Sequence, residues 1–257
     1  MSSYSKFALY YDILTTNIDY KAHADYYEKI IEKYSKGKGI LLDLACGTGT
    51  LSELMARKGF DVIGVDYSQE MLSIALDKKF DSGLPIQYLC QDMCKLDMYG
   101  TIDVTICALD SLNHLDDIKS LKCAIERVSL FCEPNGLFIF DINTIYKHKN
   151  ILADNTYIYD TEQVYCIWQN AYNDVNNSVD IDLTFFEKQD KTYTRFDESF
   201  SEQAYEVEEI KKICEDSGLE VIGIYDYLTE NYYTQNSEKV TFITRKVKYN
   251  GKDNKNN

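Results

Sequence analysis

The sequence predicts a doubly wound α/β fold, a mostly parallel sheet with helices on both faces, carrying an antiparallel insert. Three observations lead there. Short apolar runs alternate with amphipathic helical stretches through the first half of the chain, and one such run ends in a glycine loop. Between about residues 156 and 201 the apolar period changes from the helical kind to strict alternation. With 257 residues, 45% of them apolar and 27% charged, the chain can bury the core of one domain with an elaboration.

Tyr27, Ile30, Ile31 and Tyr34 recur at helical spacing between Asp19, a candidate N-cap, and Gly37, a candidate stop, which gives a first helix over 19–36. Ile40–Leu44 reads as a strand buried on both faces, followed by a helix with Leu51, Leu54 and Met55 inside and Gly59 at its end. Residues 61–65 form a second strand, and Ser68 caps a helix expected to bury Met71, Leu72, Ala75 and Leu76. Residues 86–90 and 102–108 supply the next strands. Ile118, Leu121, Ile125 and Val128 line a further helix, and Pro134, Asn135 and Gly136 turn into a fifth strand at 137–141. In the insert, Val179, Ile181, Leu183 and Phe185 alternate with Asp180, Asp182 and Thr184. Runs at 164–168 and 192–200 flank them, which predicts a three-stranded meander. A helix over 203–216 ends at Gly218, and strand-like runs follow at 219–228 and 239–245. The expected divisions are an N-terminal helical lid (1–36), an α/β core bearing the glycine loop (37–155), the insert (156–202), a completion of the core sheet (203–246) and a disordered polar tail (247–257).

A net charge of -15 opposes binding to nucleic acid or anionic membranes, because a local basic patch would have to overcome the field of the whole molecule. The eight cysteines include no Cys-x-x-Cys pair, and Cys46, Cys107, Cys123 and Cys214 sit in apolar runs, so reduced buried thiols are expected rather than disulfides or a metal site. No stretch has the length and apolarity of a membrane span, and the opening Met-Ser-Ser-Tyr-Ser-Lys has no apolar signal region. A cytoplasmic protein is expected.

The loop Asp43-Leu44-Ala45-Cys46-Gly47-Thr48-Gly49 leads from a buried strand into a helix. Glycines at 47 and 49 let backbone approach a ligand, and the amides of the first helical turn suit a carboxylate or a phosphate. Asp43 suits an amine and would repel a pyrophosphate. A carboxylate and an amine side by side describe the methionine end of S-adenosylmethionine, so that cofactor is the expected one. The competing nicotinamide reading has Gly47 and Gly49, with Asp66 nineteen positions beyond Gly47, but its third glycine is Ser52 here. Asp66, after the second strand, can accept from both ribose hydroxyls or cap a helix. Tyr67 and Met71 are candidates to flank an adenine, and Gln91, Asp92 and Met93 to read its edge.

These motifs, in this order across residues 40–141, resemble the class I S-adenosylmethionine-dependent methyltransferases of the small-molecule branch. The opening Phe7-Ala8-x-x-Tyr11-Asp12 and the segment from Leu109 through Asp110, Ser111, Leu112, Asn113 and His114 to Leu115 look like bacterial amino-sugar N-methyltransferases. The resemblance implies a seven-stranded sheet whose last strand runs antiparallel. It adds Ala108 and Leu109, which close the fourth strand, to the cofactor site, and Tyr11 as the lid tyrosine, with Tyr10 the alternative. It also makes the insert a substrate-covering or dimer-forming sheet.

Methyl transfer from a sulfonium chiefly needs alignment and exclusion of water, and a hydroxyl acceptor adds the need for a general base. Among three histidines, His114 follows the fourth strand, where parallel sheets hold ligands, and is the candidate base. Asp141, ending the fifth strand, is a candidate to orient the acceptor, and His23 a lid contact. An Asn/Asp-Pro-Pro-Tyr/Phe clamp for a planar base is absent, since the only prolines are Pro85 and Pro134. The expected acceptor is a small molecule, an amine or amino sugar, methylated on N or O; a silent cofactor-binding or interaction protein and a nicotinamide oxidoreductase are the rival readings.

Overall fold

A strand buried on both faces belongs at the centre of a parallel sheet, and Ile40–Leu44 (β1) lies there in the computed structural model, which describes residues 4–35 and 37–247. On one side it pairs in parallel with Asp61–Asp66 (β2), which pairs with Gln87–Cys90 (β3). On the other it pairs in parallel with Ile102–Cys107 (β4), followed by Cys132–Asn143 (β5). The chain runs from β1 outward to β2 and β3 and then crosses back to β4 on the other side of β1, so the crevice at the carboxyl ends of β1 and β4 is the switch point where such sheets hold ligands. Leu219–Asp226 (β10) and Lys239–Lys246 (β11) complete seven strands, in the order β10-β11-β5-β4-β1-β2-β3. β11 is antiparallel to both of its neighbours, and its register sets Thr241 opposite Asp141 and Lys239 opposite Asn143.

Helices Tyr20–Tyr34 (α2), Thr50–Arg57 (α3), Gln69–Ser82 (α4), Ile118–Phe131 (α5) and Val207–Asp216 (α7) cover the sheet. A short turn, Ile145–Lys147 (α6), widens into a π-helical turn at His148–Leu152. Asp19, Ser68 and Asp117 cap α2, α4 and α5 by accepting from Ala22, Met71 and Ser120 amides. Alternate residues of each strand feed opposite faces: Leu42, Phe138, Phe140 and Phe242 pack with α5 and α7, and Leu41, Val104, Ile106 and Ile139 with α2 and α3. Before α2 stands a separate helix, Tyr4–Leu14 (α1), whose Tyr10 and Leu14 join the apolar face of the insert rather than the main core.

Several sequence expectations need correction. The insert has four strands, Thr156–Asp160 (β6), Val164–Asn173 (β7), Ser178–Gln189 (β8) and Thr192–Gln203 (β9), in that spatial order. The expected meander is β7 to β9; β6 escapes notice because its Ile158 is 60% exposed, so no apolar alternation marks it. α7 begins at Val207 rather than 203, since Gln203 still pairs with Ser178 in the sheet. Leu76 stands 49% exposed on α4 instead of entering the core. Pro134 to Gly136 lie within β5, and the first helix of the sheet layer ends at Tyr34. The expected tail lies outside the described residues except for Val247. All eight cysteines are free thiols. Among the described residues no helix is long and apolar enough to cross a membrane.

Phe140 is fully buried, 4.7 Å from Phe138 and stacked 4.8 Å from Phe242, centroid to centroid. Phe140→Ala is expected to cost about 3–5 kcal/mol in urea unfolding. A loss below about 1 kcal/mol would mean that this face of the sheet repacks freely.

Candidate active site

The loop after β1 owes its shape to left-handed residues at every second position: Ala45 at φ 59°, Gly47 at 54° and Gly49 at 75°. A Cβ on Gly47 would meet nothing, so its handedness is what demands glycine, and its open side faces ligand space. Gly49 has a different reason. A Cβ there would stand 2.3 Å from the Tyr88 hydroxyl and 3.0 Å from Ala75 Cβ, so this glycine lets α3 settle on β3 and α4.

Asp66 fixes the loop from below: its carboxylate accepts from the Gly47 amide and the Ser68 amide, both at 2.8 Å. Burial raises its pKa and these backbone bonds oppose the rise. Asp43 is buried at the end of β1, accepting a hydrogen bond from the Ser52 hydroxyl. Burial pushes its pKa up to about 7, despite Ser52 and with the aid of Asp66. A small cavity beside it is lined by Tyr11, Tyr20, Asp43, Ala45, Gly47, Thr48, Ala108, Leu109 and Ser111, among others.

Thus Tyr11, Asp43, Ala45, Gly47, Ala108 and Leu109, all nominated from sequence, converge on one cavity. Others stand apart from it. Tyr67 is 77% exposed, and Met71 is buried in the first turn of α4. Gln91 accepts from the amide and donates to the carbonyl of Asp97, Asp92 accepts from the Cys94 amide, and Met93 packs on the core. They share a sheet edge with Asp66, whose carbonyl accepts from the Gln91 amide. His23, in the first turn of α2, is buried, bonded to the Asp19 carbonyl and the Tyr227 hydroxyl.

The far wall of the cavity is strained. Leu109 and Asp110 are successive non-glycine residues at φ 58° and 55°, which persists only where the surroundings hold it. Asp141 does so: its carboxylate accepts from the Leu109 amide at 2.9 Å, the Asp110 amide at 2.8 Å and the Tyr27 hydroxyl at 3.3 Å. Fully buried and committed to this wall, Asp141 sits behind the site rather than facing an acceptor. Lys239, between Asp110 (2.9 Å) and Asp141 (3.6 Å), sets one positive charge against the two carboxyls. Burial alone would raise the Asp110 pKa, but Lys239 and Lys147 hold it well below the ordinary carboxylate range.

The sequence profile of a family described as a methyltransferase domain matches residues 41–136, from β1 into β5. The chain is 33% identical over 246 residues to YqeM of Bacillus subtilis strain 168, whose name marks it as an inferred methyltransferase, covering 95% of this chain and 98% of that one. An S-adenosylmethionine-dependent methyltransferase of known structure from Clostridium acetobutylicum is also 33% identical, with a TM-score of 0.86 over 96% of this chain and 100% of its own. The chain belongs to the S-adenosylmethionine-dependent methyltransferases. An amino pentose methyltransferase from Micromonospora echinaspora, 17% identical, shares the methyltransferase's fold with a TM-score of 0.74 over 93% of this chain and 97% of that one. The nicotinamide and silent-protein readings are thereby set aside.

S-adenosylmethionine is the methyltransferase's cofactor, and the cavity suits it: a buried carboxylate at Asp43, the unpaired first-turn amides of α3, and open space beside Gly47. Sequence reasoning missed the clasp that closes this cavity. Thr48 donates to Asp12 of α1 at 2.6 Å, and Lys78 of α4 reaches Asp12 at 2.5 Å, Thr50 at 2.8 Å and Thr48 at 3.1 Å. Asp12 stood in the quoted opening motif, yet nothing local identifies its partners. Beyond the strained wall stands His114, its side chain 40% exposed, with its ring 5.3 Å from Phe200 and Nε2 3.9 Å from Glu202 Oε1. Glu202 was likewise missed.

Asp141→Ala leaves two buried amides and the Tyr27 hydroxyl without an acceptor and Lys239 short of a charge. It is expected to cost about 3–5 kcal/mol in chemical denaturation. A loss below about 1 kcal/mol would show that the wall holds its left-handed turn unaided.

Proposed function

We propose that this methyltransferase methylates N or O of a small-molecule acceptor, an amine or amino sugar, seated over the carboxyl ends of β4 and β5, with His114 as general base. The observation that supports this is the short span from the cavity wall at Leu109 to His114, which ends the turn Ser111–His114 and remains partly open to solvent. Asn113, fully buried, braces that turn: its side chain donates to the Asn143 and Gln203 carbonyls and accepts from the Asn143 amide. The bound cofactor supplies an electrophilic methyl group. The chain aligns the acceptor, excludes water beneath α1 and takes the proton of the reacting N or O onto the imidazole. Tyr11 closes the cavity, with Asp43 holding the cofactor's ammonium and Asp66 receiving its ribose hydroxyls on the oxygen lone pairs left by the Gly47 and Ser68 amides. Asp92, Gln91 and Met93 stand at the edge next to Asp66 and take the adenine end.

Incubation with labelled S-adenosylmethionine and a panel of amines, amino sugars and hydroxylated acceptors tests the substrate class; turnover confined to proteins or nucleic acids would overturn it. On the accepted substrate, His114→Ala is expected to lower kcat by about 10²–10⁴-fold with little change in cofactor affinity. An unaltered rate would remove His114 from the chemistry.

The Asp43 role has a pH signature. A carboxyl that loses its proton near pH 7 is largely neutral below that value, whereas an ammonium partner needs it ionised. Cofactor affinity is therefore expected to fall as pH drops below 7, approaching about tenfold per unit, with a proton released on binding. Asp43→Asn should weaken binding and flatten that dependence. Calorimetry in buffers of different ionisation enthalpy checks both, and a flat wild-type profile from about pH 5.5 to 7.5 would exclude the ammonium contact.

A further inference from the structure

Glu202, near the end of β9, is buried at 5% exposure although it carries a carboxylate, and its two oxygens face different neighbours. Oε2 accepts from Asn143 Nδ2 at 2.9 Å and lies 3.5 Å from Nε2 of the fully buried His148, whose Nδ1 lies 3.0 Å from the Asn177 carbonyl. Oε1 points to His114, 3.9 Å from its Nε2. Asn143 cannot turn its amide round. Its Oδ1 accepts from Lys147 at 2.8 Å, and its Nδ2 donates to Asp110 as well as to Glu202. Glu202 is thus clamped by one oxygen, and the other is presented to the candidate base. β9 holds His114 by a second contact, Phe200 against the ring, and by a third through Gln203, whose carbonyl accepts from the neighbouring Asn113.

Resting on the reading of His114 as general base, we propose that Glu202 is its positioning residue: the insert carboxylate draws the Nε2 proton to itself and leaves the Nδ1 lone pair free to take the acceptor's proton. An imidazole with one nitrogen protonated has its tautomer set by what the other groups around it accept or donate. A carboxylate only accepts, so it selects the Nε2–H form. At 3.9 Å the pair is longer than a hydrogen bond, and on the proposed reading it shortens to one as reactants assemble, as catalytic contacts commonly do. The insert therefore completes the reaction centre as well as covering it. The other charges around this group are Asp110 and Lys239 from the strained wall, Lys147 and His148 after β5, Glu238 before β11, and Asp66, which senses His114 through space.

Glu202→Gln tests the proposal without removing bulk. The fixed Asn143 amide calls for an oxygen at the Oε2 position, which turns the new NH₂ toward His114. A neutral His148, its Nδ1–H on the Asn177 carbonyl, would instead draw the NH₂ to its own Nε2. Nuclear Overhauser contacts of the new side-chain amide establish that it faces His114 before the tautomer is read. Nε2 of His114 then becomes the acceptor, and the tautomer is expected to flip to Nδ1–H. Long-range ¹H–¹⁵N correlation spectra read this directly at a pH where the imidazoles are neutral, with S-adenosylhomocysteine bound. The chain has only three histidines, and His114→Gln assigns the resonance. Wild type should show Nε2–H, Glu202→Gln chiefly Nδ1–H, and Glu202→Asp, which keeps the charge, the wild-type form. An unchanged tautomer in folded Glu202→Gln overturns the proposal. If that variant does not fold, loss of the wild-type tautomer in Glu202→Asp does the same. Failure of the base reading looks different: His114→Ala would then turn over normally even though the tautomer obeys Glu202.

Discussion

The Asp141 carboxylate beneath two left-handed residues is the contact on which the rest of the site depends. Without it, Leu109 and Asp110 would keep neither their amide partners nor their backbone shape, and the strand β4 would have no fixed exit. Leu109 leads back to the cofactor cavity and Asp110 leads outward, through Lys239 and Asn143, to Glu202 and the histidines. One buried carboxylate therefore ties the cavity wall to the polar cluster around His114, and the Lys239 ammonium, held protonated by Asp110 and Asp141 against the pull of burial, offsets part of the negative charge gathered there.

The glycine loop works on a different principle. It carries its constraints locally, in alternating handedness, with Asp66 pinned to the loop across a strand boundary. Burial pushes the Asp43 carboxyl up to about 7, so its charge responds to what stands beside it. On the proposed reading this carboxyl, next to the first turn of α3, favours a ligand that carries an amine beside its own carboxylate.

What the sequence revealed follows the distance between interacting residues. The five parallel strands and the capped helices were legible because burial on two faces, alternation and cap residues are written within a few positions of each other. Asp43, Gly47 and Asp66 were legible for the same reason. β6 was not, since its Ile158 faces outward, and a helix beginning at Gln203 is what local pattern predicts because the pairing of Gln203 with Ser178 and the Ala204 amide bond to the Asn177 carbonyl come from a distant strand end. Asp141 was found as a residue but not for its place, because the amides it holds are about thirty positions away. Glu202, Asn143 and Lys239 come from three separate strands, and no periodicity joins them.

Helix α1 has two attachments that belong to different parts of the molecule. At one end of its reach Asp12 is tied to Thr48 and Lys78 beside the glycine loop; at the other, Tyr10 donates to Glu187 on β8 and Phe7 packs against Phe185 and Phe200. Phe200 is also the ring against His114. Phe200 therefore stands between α1 and His114, touching Phe7 on one side and the imidazole on the other. The position of α1 is tied to the glycine loop and to the surroundings of His114 at once, so a substitution that loosens either attachment is felt at both.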